Sequence, residues 1–510
     1  MKVLQALQIR EADAYTIENE PIVSIDLMER ASQAFVNWFT QRFDNSNQVN
    51  ILCGTGNNGG DGLVIGRLLL QMEYKVQVWV IKVGSGATPD FLQNYQRLSE
   101  LIDIYEIQEP SMISDLQFSG IIIDAIFGSG LARPVTGLFA KVINKMNKSS
   151  TIRLAVDIAS GLFSDQPTLD STAISQVHYT VSFQVPKLAF FIPENDPYVG
   201  EWQVVDIGLS SEFIGNLKSS YYTLDQDYVS GLLTTRNKYS HKGNFGRALL
   251  ISGSVGKMGA TVLGSRACMR TGVGLLTIHA PRCGYPILQT AIPEAMVSLD
   301  ENEHFISAPP VDLDLYQAIG VGPGIDTTPP VEAALKQLLD KYDRPMVVDA
   351  DAINILGRNR ELLKSLPSNS ILTPHPKEFE RISQKHNNSF EVLESLRDFA
   401  IQNKVIVVLK GAHTAIASPQ GEIFFNTTGN PGMATGGSGD VLTGMITSLV
   451  AQGYKPLNAA KLGVYLHGLA GDLGAQSQGE EALMASDMVD HIAQAYTKIK
   501  KTGSQKLAIT

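Results

Sequence analysis

Short apolar runs ending in glycine- or aspartate-bearing turns, with helical patterns between them, recur along this chain, and that alternation restricts the fold more than any other feature. "VNILC" (49–53), "KVQVWVIKV" (75–83), "GIIIDAI" (120–126), "IRLAVDI" (152–158) and "VHYTVSF" (177–183) read as strands. Asp61–Gln71, Pro89–Leu101 and Leu138–Met146 read as helices between them. Strands without a polar face need cover on both sides, so the pattern predicts a mainly parallel sheet with helices on each face. It lapses at 209–225, which reads as an irregular linker. A second series follows: "RALLIS" (247–252), "LLTIHA" (275–280), "AIGVG" (318–322), "PMVVDA" (345–350), "SILTPH" (370–375) and "VIVVLKG" (405–411). At 510 residues the chain exceeds one ordinary core; two α/β domains are expected, at 1–215 and 225–500.

A net charge of −10 argues against a general nucleic-acid or anionic-membrane binder. It does not argue against anionic small ligands, which backbone amides can hold whatever the overall charge. No run of about 18 apolar residues predicts a membrane span. Cys53, Cys268 and Cys283 form neither a disulfide framework nor a zinc spacing, so a reducing cytoplasm is the expected compartment. A homo-oligomer is expected.

"CGTGNNGGDG" (53–62) follows a strand and opens a helix, and Gly54, Gly56 and Gly59 satisfy G-x-G-x-x-G. Such glycines allow a tight turn and close approach of a diphosphate to helix-terminal amides; they can also serve only to pack strand on helix. The next strand ends near Lys82, without the acidic residue that an ordinary NAD-dependent dehydrogenase uses for the ribose. Polar residues recur instead at later strand ends: Asp124 before a glycine-rich loop with Arg133, then Asp157 and Ser160. In a parallel sheet these ends converge on one crevice.

"NNGGDG", "DAIFGSGLARPVTG" and "VDIASG" resemble the YjeF N-terminal family, the NAD(P)H-hydrate epimerases, over nearly all of residues 1–210. The resemblance implies a Rossmann-like doubly wound domain. It implies binding of hydrated nicotinamide nucleotide by Asn57, Asn58, Gly59, Gly60 and Asp61, by Gly128, Ser129, Gly130, Leu131, Ala132, Arg133 and Pro134, and by Asp157. It also implies a potassium ion on Asn58, Asp124 and Ser160; oxygen ligands suit a large, hard cation. Asp157 is the candidate acid/base at the hydrated ring carbon. The family usually has proline where this chain has Ala159, a change that removes no functional side chain.

"NPGMATGGSGDVLTG" (430–444) has glycines with Walker-type spacing at Gly432 and Gly437, but Ser438 stands where the lysine is needed. The amides of Gly436, Gly437, Ser438 and Gly439 can instead form an anion hole at a helix N-terminus. Asp440 is then the base for an attacking hydroxyl, or, more plainly, a helix N-cap. "KGAHT" (410–414) offers Lys410 and small residues to a nucleotide. "TPHPKE" (373–378) places His375 and Glu378 on a turn, where Glu378 could order water around Mg2+ on the phosphates.

With "HKGNFGRALLISGS" (241–254), these motifs resemble the ribokinase-like superfamily, closest to its YjeF C-terminal branch, the ADP-dependent NAD(P)H-hydrate dehydratases. That implies AMP-side contacts at Lys410, Gly411, Ala412, His413, Thr414 and Gly439, and hydrate contacts at Ala260, Gly324, His375 and Asp440. Together the halves resemble the bifunctional nicotinamide-nucleotide repair family. The resemblance implies that the R and S hydrates of NADH and NADPH are interconverted and the S form dehydrated with ADP, giving AMP and phosphate. Two alternatives stay open: a ribokinase-like vitamin or sugar kinase with a nucleotide-binding N-domain, and a non-enzymatic scaffold.

Overall fold

The structure, a computed structural model, describes residues 1–84, 86–169 and 172–507. The chain divides into two compact units, one of Lys2–Ser219 with Asn388–Phe390 and one of Ser220–Asn387 with the residues from Glu391 onward.

The first unit holds seven strands: β1 (Gln48–Cys53), β2 (Lys75–Ile81), β3 (Ile104–Ile107), β4 (Ile121–Ala125), β5 (Ile152–Val156), β6 (Tyr179–Phe183) and β7 (Glu201–Val205). They run in the order β3-β2-β1-β4-β5-β6-β7, all parallel. The order reverses between β1 and β4, and a doubly wound sheet opens its ligand crevice at that point. Alternate residues feed opposite faces, as the strand period requires. Ile51, Ile121 and Ile123 join Phe35 and Phe39 of helix α1 (Ser24–Thr40) on one side. Leu52 and Ile122 join Val142 and Ile143 on the other.

Helix α2 (Asn57–Gln71) starts before the expected Asp61, so the polar insert Asn57–Gly60 is its first turn rather than a loop. The stretch 209–225 is not irregular. It contains a helix, Ser211–Asn216, capped by the Ser210 hydroxyl, and strand β8 (Tyr221–Leu224). Tyr221 and Tyr222 stack on Phe425 and Phe424 of the neighbouring strand, an aromatic cross-strand pairing that linear pattern does not reveal.

The second unit continues with β9 (Arg247–Ile251), β10 (Leu275–Ala280), β11 (Met296–Leu299), β12 (Ala318–Val321), β13 (Val347–Val348), β14 (Ile371–Leu372), β15 (Ile406–Leu409), β16 (Ala415–Ala417) and β17 (Ile423–Asn426). Their order is β8-β17-β16-β15-β14-β13-β12-β9-β10-β11, parallel except for the β15-β16-β17 meander. Strands β13 and β14 are shorter than the runs 345–350 and 370–375; beyond their ends the Asp349 and Thr373 amides still donate to the Val321 and Val348 carbonyls of the neighbouring strands. Helices α3 (Met258–Arg270), α4 (Ala350–Arg358) and α5 (Pro376–Ile382) follow β9, β13 and β14. Helix α6 (Ser438–Ala451) is buried at every position from Val441 to Ala451, as an apolar helix must be.

Candidate active sites

In the first unit, the loops after β1, β4 and β5 enclose a cavity of about 880 Å³. Its walls include Asn57, Asn58, Asp61, Gly128–Arg133 and Asp157. The three glycines of the first loop do different jobs. A Cβ on Gly54 would collide with the Ile126 carbonyl, and one on Gly59 with the Gly54 carbonyl, whereas Gly56 faces open space at the cavity. Gly60 packs against the Met28 thioether. Gly59 and Gly60 therefore lie under the wall rather than in it, and Pro134 is not among the lining residues.

Asp157 stands at the centre of a strained turn. Its φ is +67°, and the Ile158 amide reaches back to the Val156 carbonyl at 2.9 Å. That is the rare γ-turn, a backbone strain of the kind found at functional sites. Its carboxylate accepts from the Phe183 amide at 3.1 Å and from Lys187, both on Oδ1. Lys187 is fully buried and also donates to Ser182 Oγ at 2.8 Å. Asp13 and Asp61 share the cavity. Burial, followed by the Asp157 charge, pushes Asp13 up to about 6 and Asp61 well above the carboxylate range.

Asp124 and Ser160 lie buried at the ends of β4 and β5. Asp124 accepts from Ser160 Oγ at 2.6 Å, Ser160 N at 2.9 Å and the Ile126 amide at 3.2 Å, all neutral donors. Burial raises its pKa. Asn58 lies against Gly128 in the next loop, with its amide nitrogen buried and unpartnered. The Asp124 carboxylate, which has no cationic donor, and the oxygens of Ser160 and Asn58 are ligands of the type a monovalent cation takes; the unpartnered Asn58 Nδ2 is a donor and adds nothing to that set.

In the second unit, a cavity of about 670 Å³ is lined by His375, Lys410, Gly411, Ala412, His413, Thr414, Ser438 and Gly439, among others. Asp440 is the third residue of α6, and the N-cap is Gly437, with φ +93°. The N-cap reading of Asp440 is thus overturned: a left-handed glycine makes the turn, and the Asp440 side chain satisfies no cap. Of the first-turn amides of α6, that of Ser438 donates to the Thr435 carbonyl at 3.4 Å, while those of Gly439 and Asp440 have no intrahelical acceptor and are available to an anion. Gly436 has open space where a side chain would stand. Beneath the turn, the buried His467 Nε2 lies 3.0 Å from the Ser438 carbonyl. Burial lowers His467 to about 4, so the ring is neutral and Nε2–H donates.

The electrostatic centre of this site is Asp349, which the sequence reading passed over. Its Oδ1 accepts from Lys410 Nζ at 3.0 Å and its Oδ2 from Thr443 Oγ1 at 2.7 Å. Burial opposes the Lys410 charge, but Asp349 and then Glu378 outweigh it and hold its pKa above the ordinary value. Asp440 is pushed up to about 7 by burial first and the Asp349 charge second, with Lys410 pulling the other way. Glu378 Oε2 accepts from the His375 amide at 2.8 Å and lies 4.0 Å from Lys410 Nζ. His375 caps α5 by accepting the Lys377 and Glu378 amides on Nδ1, which assigns its proton to Nε2. Gly324 and Ala260 adjoin each other: a Cβ on Gly324 would lie 3.5 Å from that of Ala260. Helix α3, which carries Ala260, packs on α6 where Gly264 meets the Asp440 carbonyl.

Residues 24–189 match the family model described as YjeF-related protein N-terminus, and residues 248–494 match NAD(P)H-hydrate dehydratase. The bifunctional NAD(P)H-hydrate repair enzyme of Moorella thermoacetica is 35% identical over 509 residues, with 96% of each chain covered. The chain belongs to the bifunctional NAD(P)H-hydrate repair enzyme family. The Coxiella burnetii repair enzyme is 32% identical, covering 96% of this chain and 98% of its own. Among solved structures, the ADP/ATP-dependent NAD(P)H-hydrate dehydratase from Bacillus subtilis, co-crystallised with ATP/Mg2+, is 31% identical and covers 55% of this chain and 98% of its own, with a TM-score of 0.48. The two folds are those of the repair family, Rossmann-like and then ribokinase-like.

Three residues of this family member went unremarked in the sequence. Asp349 had a usable signal, an aspartate ending an apolar strand run, as at Asp124 and Asp157. Lys187 had a weaker one, a lone charge within "VPKLAFF". Asp13 had none, because it sits in an ordinary polar helical stretch.

Proposed function

We propose that the first unit interconverts the R and S hydrates of NADH and NADPH, and that the second dehydrates the S form with ADP, giving the reduced nucleotide, AMP and phosphate. Family membership along the full chain supports both activities. The observation that carries the dehydratase half is Asp440: a carboxyl poised at about 7, on a helix whose first-turn residues Ser438 and Gly439 line the pocket of Lys410–Thr414.

Water cannot leave the hydrated ring easily as hydroxide; phosphorylation makes a better leaving group. Asp440 takes the proton of the ring hydroxyl, whose oxygen attacks the terminal phosphorus of ADP, and the bond to AMP breaks. The amides of Gly436–Gly439 stabilise the phosphoryl oxygens, and Lys410 offsets donor charge. The carbon–oxygen bond then breaks as the ring-nitrogen lone pair assists. Phosphate departs, and loss of a proton from the adjoining carbon restores the dihydronicotinamide. Mg2+ arriving on the nucleotide would supply further neutralisation, with Glu378 and Asp349 the carboxylates on that side.

In the epimerase half, Lys187 holds Asp157 through Oδ1, which leaves Oδ2 to exchange a proton at the hydrated carbon. Potassium held by Asn58, Asp124 and Ser160 would supply a fixed positive charge below the cavity. The test incubates the protein with a mixed-epimer NADH hydrate and ADP. Complete return of reduced-nicotinamide absorbance, with AMP and phosphate in equal amounts, is expected; a stable phosphorylated product would establish a kinase instead.

A further inference from the structure

The hydrate carries a diphosphate, and its NADPH form a further phosphate, yet Ala260, Gly324, His375 and Asp440 give these anions no cation. Lys410 pairs with Asp349 at 3.0 Å and serves the donor nucleotide's phosphates in the reading above, not those of the hydrate. A second cleft of the same unit, about 470 Å³, is lined by Thr327, Asp351, Asn354, Gly357, Arg358 and Arg381. We propose that Arg358 and Arg381 form the subsite for the phosphate-bearing part of the hydrated dinucleotide in the dehydratase unit, a proposal that rests on the dehydratase reading above.

Three features make this cleft a built site. First, Asp351, Asn354 and Arg358 lie at i, i+3 and i+7 on α4, so they share one face of the helix. Second, Gly357 is the penultimate residue of that helix. A Cβ there would lie 3.1 Å from Arg381 Cβ and 3.3 Å from the Arg381 carbonyl oxygen. Glycine thus lets α5 approach and brings the second arginine beside the first. Third, each guanidinium is held by one neutral acceptor, Arg358 by the Thr327 carbonyl at 3.1 Å and Arg381 by the Asn354 side chain. Among the described residues neither arginine has a carboxylate within ion-pair distance. Each keeps further N–H donors for an anion, in the fork geometry that suits phosphate.

The cleft is also placed correctly. Helices α4 and α5 begin at Asp349 and His375, both in the catalytic crevice, and run away from it. The one carboxylate in the cleft, Asp351, is already occupied: its Oδ2 accepts from the Asp326 amide at 2.9 Å and from Lys257 Nζ at 3.3 Å. Lys257 in turn abuts Gly324, 3.0 Å from a Cβ there, so the cleft adjoins the expected hydrate contacts. Arg358 is seven positions beyond Asp351 on α4, about 10 Å of rise, so it stands well clear of the Asp349 end of the helix.

The test measures steady-state dehydration by Arg358→Gln, Arg381→Gln and the double variant, with purified S-NADH hydrate and S-NADPH hydrate as separate substrates. The expected result is a rise in KM for hydrate of about tenfold per arginine, with kcat and the KM for ADP within about twofold of the parent. A rise for both substrates assigns the arginines to the shared diphosphate; a rise for the NADPH form alone assigns them to its extra phosphate. Unchanged hydrate KM in the double variant, or a rise in the ADP KM instead, would overturn the proposal. Lys364→Gln removes an exposed charge elsewhere and should change neither KM. Should a glutamine variant unfold, Arg381→Lys keeps the charge and tests the fork alone. Absence of dehydration by the parent protein would refute the dehydratase reading itself, an outcome separate from failure of the subsite.

Discussion

Asp440 shows how one residue's surroundings set its chemistry. An ordinary aspartate is a weak base at neutral pH; with its proton midpoint at about 7, Asp440 can accept a proton under working conditions. Asp440→Asn should therefore lower the dehydration kcat about 10²- to 10⁴-fold while leaving ADP binding intact, read by steady-state kinetics and calorimetry. The parent's kcat/KM should fall as pH drops through about 7, as the base becomes protonated. The same shift has a stability consequence. Unfolded, this carboxyl loses its proton near 3.8; folded, near 7. Between those values stability declines as pH rises, and above the folded value the loss is complete. Asp440→Asn should accordingly be more stable than the parent at pH 8, and its melting temperature should vary less between pH 6 and 8. Lys187 is the opposite case, a buried cation whose partner is Asp157. Lys187→Met strands that carboxylate and should cost about 3–5 kcal/mol in denaturant unfolding, and epimerisation should fail.

At the scale of elements, the contact between α3 and α6 decides where Asp440 stands. A Cβ on Gly444 would collide with the Gly264 carbonyl, and one on Gly264 would lie 3.1 Å from the Asp440 carbonyl. By helix propensity alone, Gly444→Ala should stabilise α6 by about 1 kcal/mol. Close backbone packing reverses that sign: the variant should melt lower than the parent and lose dehydratase activity while keeping epimerase activity. The same competition explains which elements were legible. β1, β4 and β10 read directly, because buried parallel strands are unbroken apolar runs. β3 and β7, at the sheet edges, and β8 did not, since their side chains alternate with exposure or depend on a partner strand. Strands β13 and β14 were read too long: their paired segments end at Val348 and Leu372, and only single backbone bonds, from the Asp349 amide to Val321 and from the Thr373 amide to Val348, carry the pairing on to the polar residues at the crevice.

Across the whole molecule, each unit has its own core and its own cavity. Separate chemistry follows from separate sites. Asp157→Asn should leave rapid dehydration of the S hydrate unchanged and slow clearance of the R hydrate to its spontaneous rate, followed by absorbance in two phases. Equal loss for both epimers would count against independent sites. The sequence by itself determined the two α/β series, the glycine-rich turns at their strand ends and the aspartates at those turns, because apolar periodicity and turn chemistry are local properties. Tertiary structure alone decided what those aspartates are. Asp349 meets Lys410, 61 residues away, and Thr443, 94 away; Asp157 meets Lys187, 30 away. A carboxyl's charge depends on burial and on neighbours in space, and linear spacing encodes neither.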